Sequence, residues 1–219
     1  MVLSAPIAAS TQTRPLHSGS RAGFTMVEMV VTVAILAVIV TLAVPSFKTT
    51  LMNSRRAALL NDFVASIGYA RSEALNRKAP VVLCRVDNPN TVPLNPTTSP
   101  CSTNSSVGYE TGWIVATATI GTGCALSNFT VLRRGGPAAE PTATMKGNTL
   151  VASTFFFNAM GAAGVSCNAS NGTFVYCDSR GFSSTLPTAN VLVLSRGGRI
   201  SNMASNDANA STYATSCSP

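Results

Sequence analysis

The sequence predicts an α+β fold in which one long N-terminal helix packs on an antiparallel β-sheet. Helical patterning runs almost to Pro80, and short β-branched and aromatic runs separated by Gly, Pro, Asn and Ser clusters follow it, as strands and turns do. One helix followed only by strands is typical of this class. The predicted segments are a leader (1–23), a membrane-spanning helix (24–45), an amphipathic helix (46–79) and a β-rich globular domain (80–219).

The composition indicates one globular domain with an additional membrane segment. The chain has 219 residues, of which 46% are hydrophobic and only 11% charged, and its mean hydropathy is +0.28. Values this apolar are unusual for a wholly soluble domain of this length. The formal net charge of +7 favours a partner with negative potential, such as anionic lipid, an acidic protein or nucleic acid.

The N-terminal region predicts a single membrane span. Residues 1–23 are small, polar and basic and lack the apolar region of a secretory signal peptide. The stretch from Phe24 to Val44 is apolar apart from Glu28. As a helix it would be about 31 Å long, close to the bilayer core of about 30 Å. Because Arg14 and Arg21 precede it, the leader is expected in the cytoplasm and the rest of the chain outside.

Glu28 is the one charged residue inside this predicted span. A carboxylate near the bilayer core costs several kcal/mol unless a partner compensates it. Two interpretations are open: Glu28 has a functional partner, or it lies near enough to the cytoplasmic end to extend into the headgroup region.

The second part of the helix is predicted to be amphipathic. Pro45 is expected to kink or loosen the helix, which then resumes. An apolar stripe follows at helical spacing, while most of the basic residues face elsewhere. Lys78 and Pro80 close the helix. The stripe consists of Leu60, Phe63, Ile67, Ala70 and Ala74.

Six runs in the C-terminal region predict strands, and Trp113 is expected in the core. The step Arg196-Gly197-Gly198 predicts a tight hairpin, since glycine readily adopts positive φ. The six strand runs are Val81 to Val86, Trp113 to Ile120, Phe129 to Leu132, Leu150 to Phe157, Phe174 to Cys177 and Val191 to Leu194.

Six cysteines without a metal-binding spacing favour disulfides formed outside the cytosol. Cys84 and Cys101 bracket most of a proline-rich loop and form one predicted pair. Cys167 and Cys177 flank an Asn/Ser/Gly turn and form a second. This leaves Cys124 to pair with Cys217, although spacing alone leaves the connectivity open.

The sequence offers no catalytic candidate. The only histidine, His17, lies in the predicted leader, and no phosphate-binding glycine motif or nucleophile elbow is present. We therefore expect no enzyme activity, no metal site and no cofactor.

The residues around the start of the span resemble the type IV prepilin signature. They read Arg21-Ala22-Gly23 and then Phe24-Thr25-Met26-Val27-Glu28. The resemblance implies that a prepilin peptidase cleaves between Gly23 and Phe24 and that the new N-terminal Phe24 is methylated. It also implies that Glu28 pairs with the free amine of Phe24 on a neighbouring subunit during assembly.

The rest of the chain resembles the GspH/FimT family of minor pilins and pseudopilins. The resemblance implies a minor type IV pilin that primes or caps the filament, held in the bacterial inner membrane with its globular domain in the periplasm before assembly. The implied partners are other minor pilins, the major pilin and the inner-membrane assembly platform. A pseudopilin of type II secretion is the alternative. The resembling motifs are Ala70-Arg71-Ser72-Glu73-Ala74, Val81-Val82-Leu83-Cys84, Gly112-Trp113-Ile114-Val115, Tyr176-Cys177-Asp178-Ser179-Arg180-Gly181 and Gly198-Arg199-Ile200-Ser201.

Some relatives on the pilus branch bind DNA through a basic C-terminal region. By resemblance, Arg180, Arg196 and Arg199 are the DNA-binding candidates, although Ser201 stands where the best-matched ending has a second arginine. The alternative is that these arginines solvate the surface or pair with carboxylates such as that of Asp178. Arg133 and Arg134, beside Gly135-Gly136, form a second candidate basic loop.

Overall fold

The computed structural model describes residues 23–122, 125–165 and 168–219. The leader before residue 23, Cys124 and Cys167 therefore lie outside the described residues. The chain divides into two compact units, the first ending at Ser46 and the second formed by Phe47–Pro219.

Helix α1 runs from Met26 to Arg77 and includes Pro45. Its part in the first unit is apolar and exposed, which agrees with the predicted span. By length and composition, α1 is the one helix among the described residues that fits a membrane crossing. The helix ends two residues before the predicted boundary at 79, and Lys78 follows it in the left-handed region, with φ 51°. Such a residue commonly terminates a helix.

In the second unit, the helix buries the stripe that its periodicity predicts. Leu60, Phe63, Ile67, Ala70 and Ala74 are all at most 2% exposed and belong to the main hydrophobic core. Positions three and four apart lie on the same face of a helix, so one row of side chains covers the sheet surface. The predicted apolar stripe is therefore the buried face of this part of the helix.

Ten strands form two antiparallel sheets. The six-stranded sheet has the order β3-β2-β1-β5-β6-β7, and the four-stranded sheet has the order β10-β9-β8-β4. The strands are β1 (Val81–Arg85), β2 (Trp113–Ile120), β3 (Leu126–Gly135), β4 (Thr144–Gly147), β5 (Thr154–Phe157), β6 (Ala163–Val165), β7 (Asn168–Ala169), β8 (Gly172–Cys177), β9 (Ala189–Leu194) and β10 (Ile200–Ala204).

The α+β prediction is confirmed, with differences in individual strands. β2 has the predicted bounds, whereas β5 begins at Thr154 instead of Leu150, because the Val151 N–H donates to the Asn148 carbonyl in a turn. β4, β6 and β7 were not predicted because none of them contains a β-branched or aromatic run. Arg133 and Arg134 lie in β3, not in a loop, because β3 continues to Gly135 along β2.

The core is organised around the side chain of Phe63 on α1. Its ring makes edge contacts with Tyr109 at 5.2 Å, Trp113 at 5.0 Å and Phe174 at 5.0 Å between centroids. Trp113 belongs to the six-stranded sheet and Phe174 to the four-stranded sheet. The predicted core position of Trp113 is confirmed, since the residue is 0% exposed.

Two disulfides join described residues. The predicted pair Cys84–Cys101 is confirmed. The pairing of Cys177 with Cys167 is wrong, and so is that of Cys217 with Cys124, because Cys177 is bonded to Cys217. Successive side chains of a strand alternate between its faces. Cys177 therefore lies with Val175 on the face of the four-stranded sheet that the C-terminal segment covers.

We expect Phe63→Ala to destabilise the second unit by about 3–5 kcal/mol, because the aromatic contacts are lost and a cavity remains. Thermal unfolding of the full chain in detergent, followed by near-UV circular dichroism, measures this. Leu94→Ala is the matched control, since Leu94 is 62% exposed. An equal loss of stability in both variants would contradict the central role of Phe63.

Candidate assembly segment and basic hairpin

The helix that carries the candidate assembly residues begins with a capping box. The Glu28 N–H donates to Thr25 Oγ1 at 3.2 Å, and the Thr25 N–H donates to Glu28 Oε2 at 3.5 Å. A Thr followed three residues later by Glu satisfies two otherwise unpaired donors at a helix start. The sequence interpretation missed this role, although the Thr-x-x-Glu spacing before an apolar run signals it.

The first unit presents an uncovered apolar surface. Phe24, Met26 and Val27 are 76%, 86% and 72% exposed, and large apolar side chains remain exposed as far as Val44. A surface of this extent needs lipid or another protein to cover it. Gly23 precedes it, and a Cβ atom at this position would meet no other atom within 4 Å.

Arg180 is held by a carboxylate in the second unit. Its guanidinium donates to Asp178 Oδ1 at 3.0 Å and to Oδ2 at 2.5 Å, and also to Asn53 Oδ1 at 2.9 Å. Asp178 is only 4% exposed. Burial by itself raises the pKa of Asp178, but hydrogen bonds from the side chain and backbone of Arg180 and the charges of Arg180 and Arg56 lower it overall. Arg180 therefore has a structural partner.

Arg196 and Arg199 lie on the hairpin between β9 and β10, as predicted. The register places Ile200 opposite Leu194, and Gly198 takes φ +75° in the turn. Both arginines are exposed. Within the described part of the chain, neither guanidinium has a hydrogen bond or an ion pair. We call residues 195–199 the basic hairpin.

The basic hairpin is held firmly at its base. The Arg196 carbonyl accepts from the Ala163 N–H at 2.9 Å, and its N–H donates to Asn171 Oδ1 at 2.8 Å. Beneath it, Arg71 Nε donates to the Gly161 carbonyl at 3.1 Å. A Cβ atom at Gly198 would lie 2.6 Å from that carbonyl oxygen and 2.8 Å from Arg71 Nε. Glycine is therefore required there for packing as well as for its backbone conformation.

The structure does not bring Arg180 together with the basic hairpin. Arg180 contacts α1 at Asn53, whereas the hairpin packs over Arg71 of the same helix. At about 1.5 Å of rise per residue, these two helix positions are about 27 Å apart. The hairpin alone remains as a candidate anion-binding surface.

The second candidate basic loop is engaged in contacts within the fold. Arg133 forms an ion pair with Asp62 at 2.8 Å, and its guanidinium lies 6.0 Å from the centre of the Tyr69 ring. Arg134 donates to the Val92 carbonyl. Both side chains therefore link β3 to neighbouring segments. Across the residues that the structure covers, no cluster of His, Cys, Asp or Glu is placed to hold a metal ion.

A long helix with an apolar first part and a β-rich second unit is the architecture of pilin-like filament subunits, and the family model of the prokaryotic N-terminal methylation motif matches residues 19–44. The chain belongs to the family described as type II transport protein GspH, whose model matches residues 59–198. This family consists of structural pilins and pseudopilins that assemble with related subunits.

Two crystal forms of the type IV minor pilin FimU from Pseudomonas aeruginosa are similar to this chain. One has 19% identity and a TM-score of 0.49, covering 78% of this chain and 97% of FimU. The other has 19% identity and a TM-score of 0.46, covering 74% of this chain and 98% of FimU. No curated protein sequence matches the chain.

We expect Asp178→Asn to lower the free energy of unfolding by about 1–3 kcal/mol at neutral pH, because charged hydrogen bonds to Arg180 are lost. The folded-state pKa of Asp178 is lowered, so its stabilisation is present above the unfolded pKa of about 3.9 and is lost as pH falls through the folded value. Thermal unfolding between about pH 2 and pH 7 should show that acid lowers the stability of the variant less than that of the wild type. Asp207→Asn, at an exposed carboxylate, is the control. Parallel pH curves for wild type and Asp178→Asn would contradict this role.

Proposed function

We propose that this chain is a minor type IV pilin that acts in priming or capping the filament. The observation that carries the proposal is the exposed apolar part of α1, which starts at a methylation motif and contains a single carboxylate, Glu28. Such a surface suits two successive environments, the lipid of the inner membrane and the apolar interior of a filament. The globular domain then lies on the periplasmic side and later outside the cell.

Glu28 would give assembly its register. Cleavage after Gly23 by prepilin peptidase creates a positively charged amine on Phe24, which methylation keeps charged. In an environment of low dielectric constant, attraction between a carboxylate and an amine is much stronger than in water. The capping box supports this role, because it holds the Glu28 carboxylate at the helix start, where a neighbouring amine can approach it.

A pseudopilin of the type II secretion system is the second candidate. The description of the matching family, type II transport protein GspH, favours it. Both functions use the same membrane anchor, the same kind of peptidase and the same mode of assembly. They differ in whether the partner subunits are pilins or pseudopilins. Cross-linking in cells to identify the neighbouring subunits distinguishes them.

DNA capture is a further role that we propose for the pilus subunit. Its support is the basic hairpin, where Arg196 and Arg199 are exposed and unpaired within the described chain while Arg180 and Arg133 are neutralised by carboxylates. Free guanidinium groups on a rigid turn bind phosphates through charge, largely independently of base sequence.

We expect the Glu28→Ala variant to insert in the membrane and to be cleaved normally. Its incorporation into filaments should fall at least about tenfold, because a loss of about 1.4 kcal/mol of binding free energy lowers an association constant tenfold. Quantitative immunoblotting of sheared filaments against membranes measures this. Glu28→Gln keeps an oxygen acceptor for the Thr25 N–H and removes the charge. If both variants lose filament incorporation equally, the result supports pairing of the Glu28 charge. If Glu28→Gln assembles normally, Glu28 acts only as a helix cap. Glu73→Gln, outside the apolar segment, is the control.

We expect the full chain in detergent micelles to retard DNA in a salt-sensitive manner. The double variant Arg196→Ala/Arg199→Ala should bind more weakly, and its plot of log affinity against log salt should be shallower by about 1.8 for two lost phosphate contacts. Lys48→Ala/Lys146→Ala removes the same charge elsewhere and serves as the control. Equal weakening in both double variants would show that only net charge matters.

A further inference from the structure

A groove lies beside the basic hairpin, on the face of the four-stranded sheet that is turned away from α1. Two neighbouring depressions share Val193, Ser201 and Tyr213 and so form one continuous groove. Leu192 and Leu194 of β9 face the core with the helix, while Val193 packs with the C-terminal segment. The alternation of side chains along β9 therefore places the groove opposite the helix.

The two ends of the groove differ in chemistry. At the hairpin end it is lined by Arg199, Ser195 and Ser201, and the Ser195 hydroxyl donates to the Arg199 carbonyl at 3.2 Å. At the other end, Met203, Asn209 and Thr212 line it. None of the lining residues is acidic, and the nearest carboxylate along the chain, Asp207, accepts from the Asn209 N–H at 2.9 Å. The groove thus offers one free cation and several neutral hydrogen-bonding groups within the described chain.

Tyr213 forms a wall common to both depressions and is 45% exposed. The segment that carries it is fixed in place. Ala210 and Ala214 are buried on either side, the Tyr213 N–H donates to the Ala210 carbonyl at 3.0 Å, and Cys217 is bonded to Cys177 of β8. A segment that is already ordered loses little backbone entropy when a ligand binds to it.

We propose that this groove binds single-stranded DNA, with a base stacked on Tyr213 and a neighbouring phosphate on Arg199. The inference rests on the proposed DNA-binding role of the basic hairpin, and it adds a preference for single strands and one further residue, Tyr213. Non-specific single-strand sites combine a cationic groove that follows the backbone with aromatic rings on which bases stack. A duplex keeps its base faces inside the stack, so Tyr213 has no such surface to bind there.

The test compares a fluorescently labelled oligothymidylate of about 12 nucleotides with a duplex of the same length, within the range of known single-strand site sizes. Anisotropy is measured with the full chain in detergent micelles, with disulfides formed. Tyr213→Ala should weaken single-strand binding by about 5- to 100-fold, as expected for one stacked base, and leave duplex binding within about twofold. Tyr213→Phe should bind like wild type, because the ring is retained. Arg199→Ala should weaken binding of both.

Each outcome separates this inference from the proposed function. Wild-type affinity of Tyr213→Ala for the single strand overturns the stacking role, and the hairpin's DNA role stands if Arg196→Ala/Arg199→Ala still weakens binding. Equal weakening for single strand and duplex overturns the strand preference, as does a Tyr213→Phe variant that binds as weakly as Tyr213→Ala. A wild-type chain that binds neither DNA overturns both proposals. Ser211→Ala, at an exposed position of the same segment that does not line the groove, controls for disturbance of the segment.

Discussion

The contact of Phe63 with aromatic residues of both sheets is the interaction on which the rest of the globular unit depends. The two sheets are separate hydrogen-bonded systems, and Phe63 touches Trp113 from one and Phe174 from the other. Edge contacts of this kind contribute beyond the area they bury, by about 0.5–1.5 kcal/mol for each pair. These contacts fix β8 against the helix. Because β9 pairs with β8 and β10 pairs with β9, the position of β8 also determines where the basic hairpin lies.

Charge neutralisation within the fold decides which basic groups remain available. Asp62, Asp178 and Glu140 each pair with an arginine. The Arg133–Asp62 pair joins β3 to α1, and the Arg55–Glu140 pair joins α1 to the connection between β3 and β4. The arginines of the basic hairpin have no such partner within the described residues. A protein with few carboxylates and a net charge of +7 thus concentrates free cationic groups on a turn that backbone hydrogen bonds already hold in shape.

Local patterns were good predictors where one physical signal dominated. Periodicity predicted the apolar stripe of α1, and side-chain type predicted the bounds of β2. Glycine predicted the hairpin at Gly198, and short spacing predicted the Cys84–Cys101 bond. The Cys177–Cys217 bond and strand β4 did not follow, because partners distant in the chain define them. Strand β6 did not follow because its three residues contain no β-branched or aromatic run. The ion pair of Arg133 with Asp62 likewise joins residues whose proximity depends on how β3 packs against the helix.

The sequence by itself determined the class of protein. The prepilin-like motif, an apolar segment long enough to cross a bilayer, its single carboxylate and the change from helical to strand patterning are all local, so their physical meaning does not require the fold. Only the tertiary structure decided which arginines are free and where they lie. Arg180, Arg196 and Arg199 look alike in the sequence, but a buried Asp178 holds the first, about 27 Å along α1 from the hairpin. Tyr213 joins Arg199 because a disulfide and sheet pairing bring distant segments together.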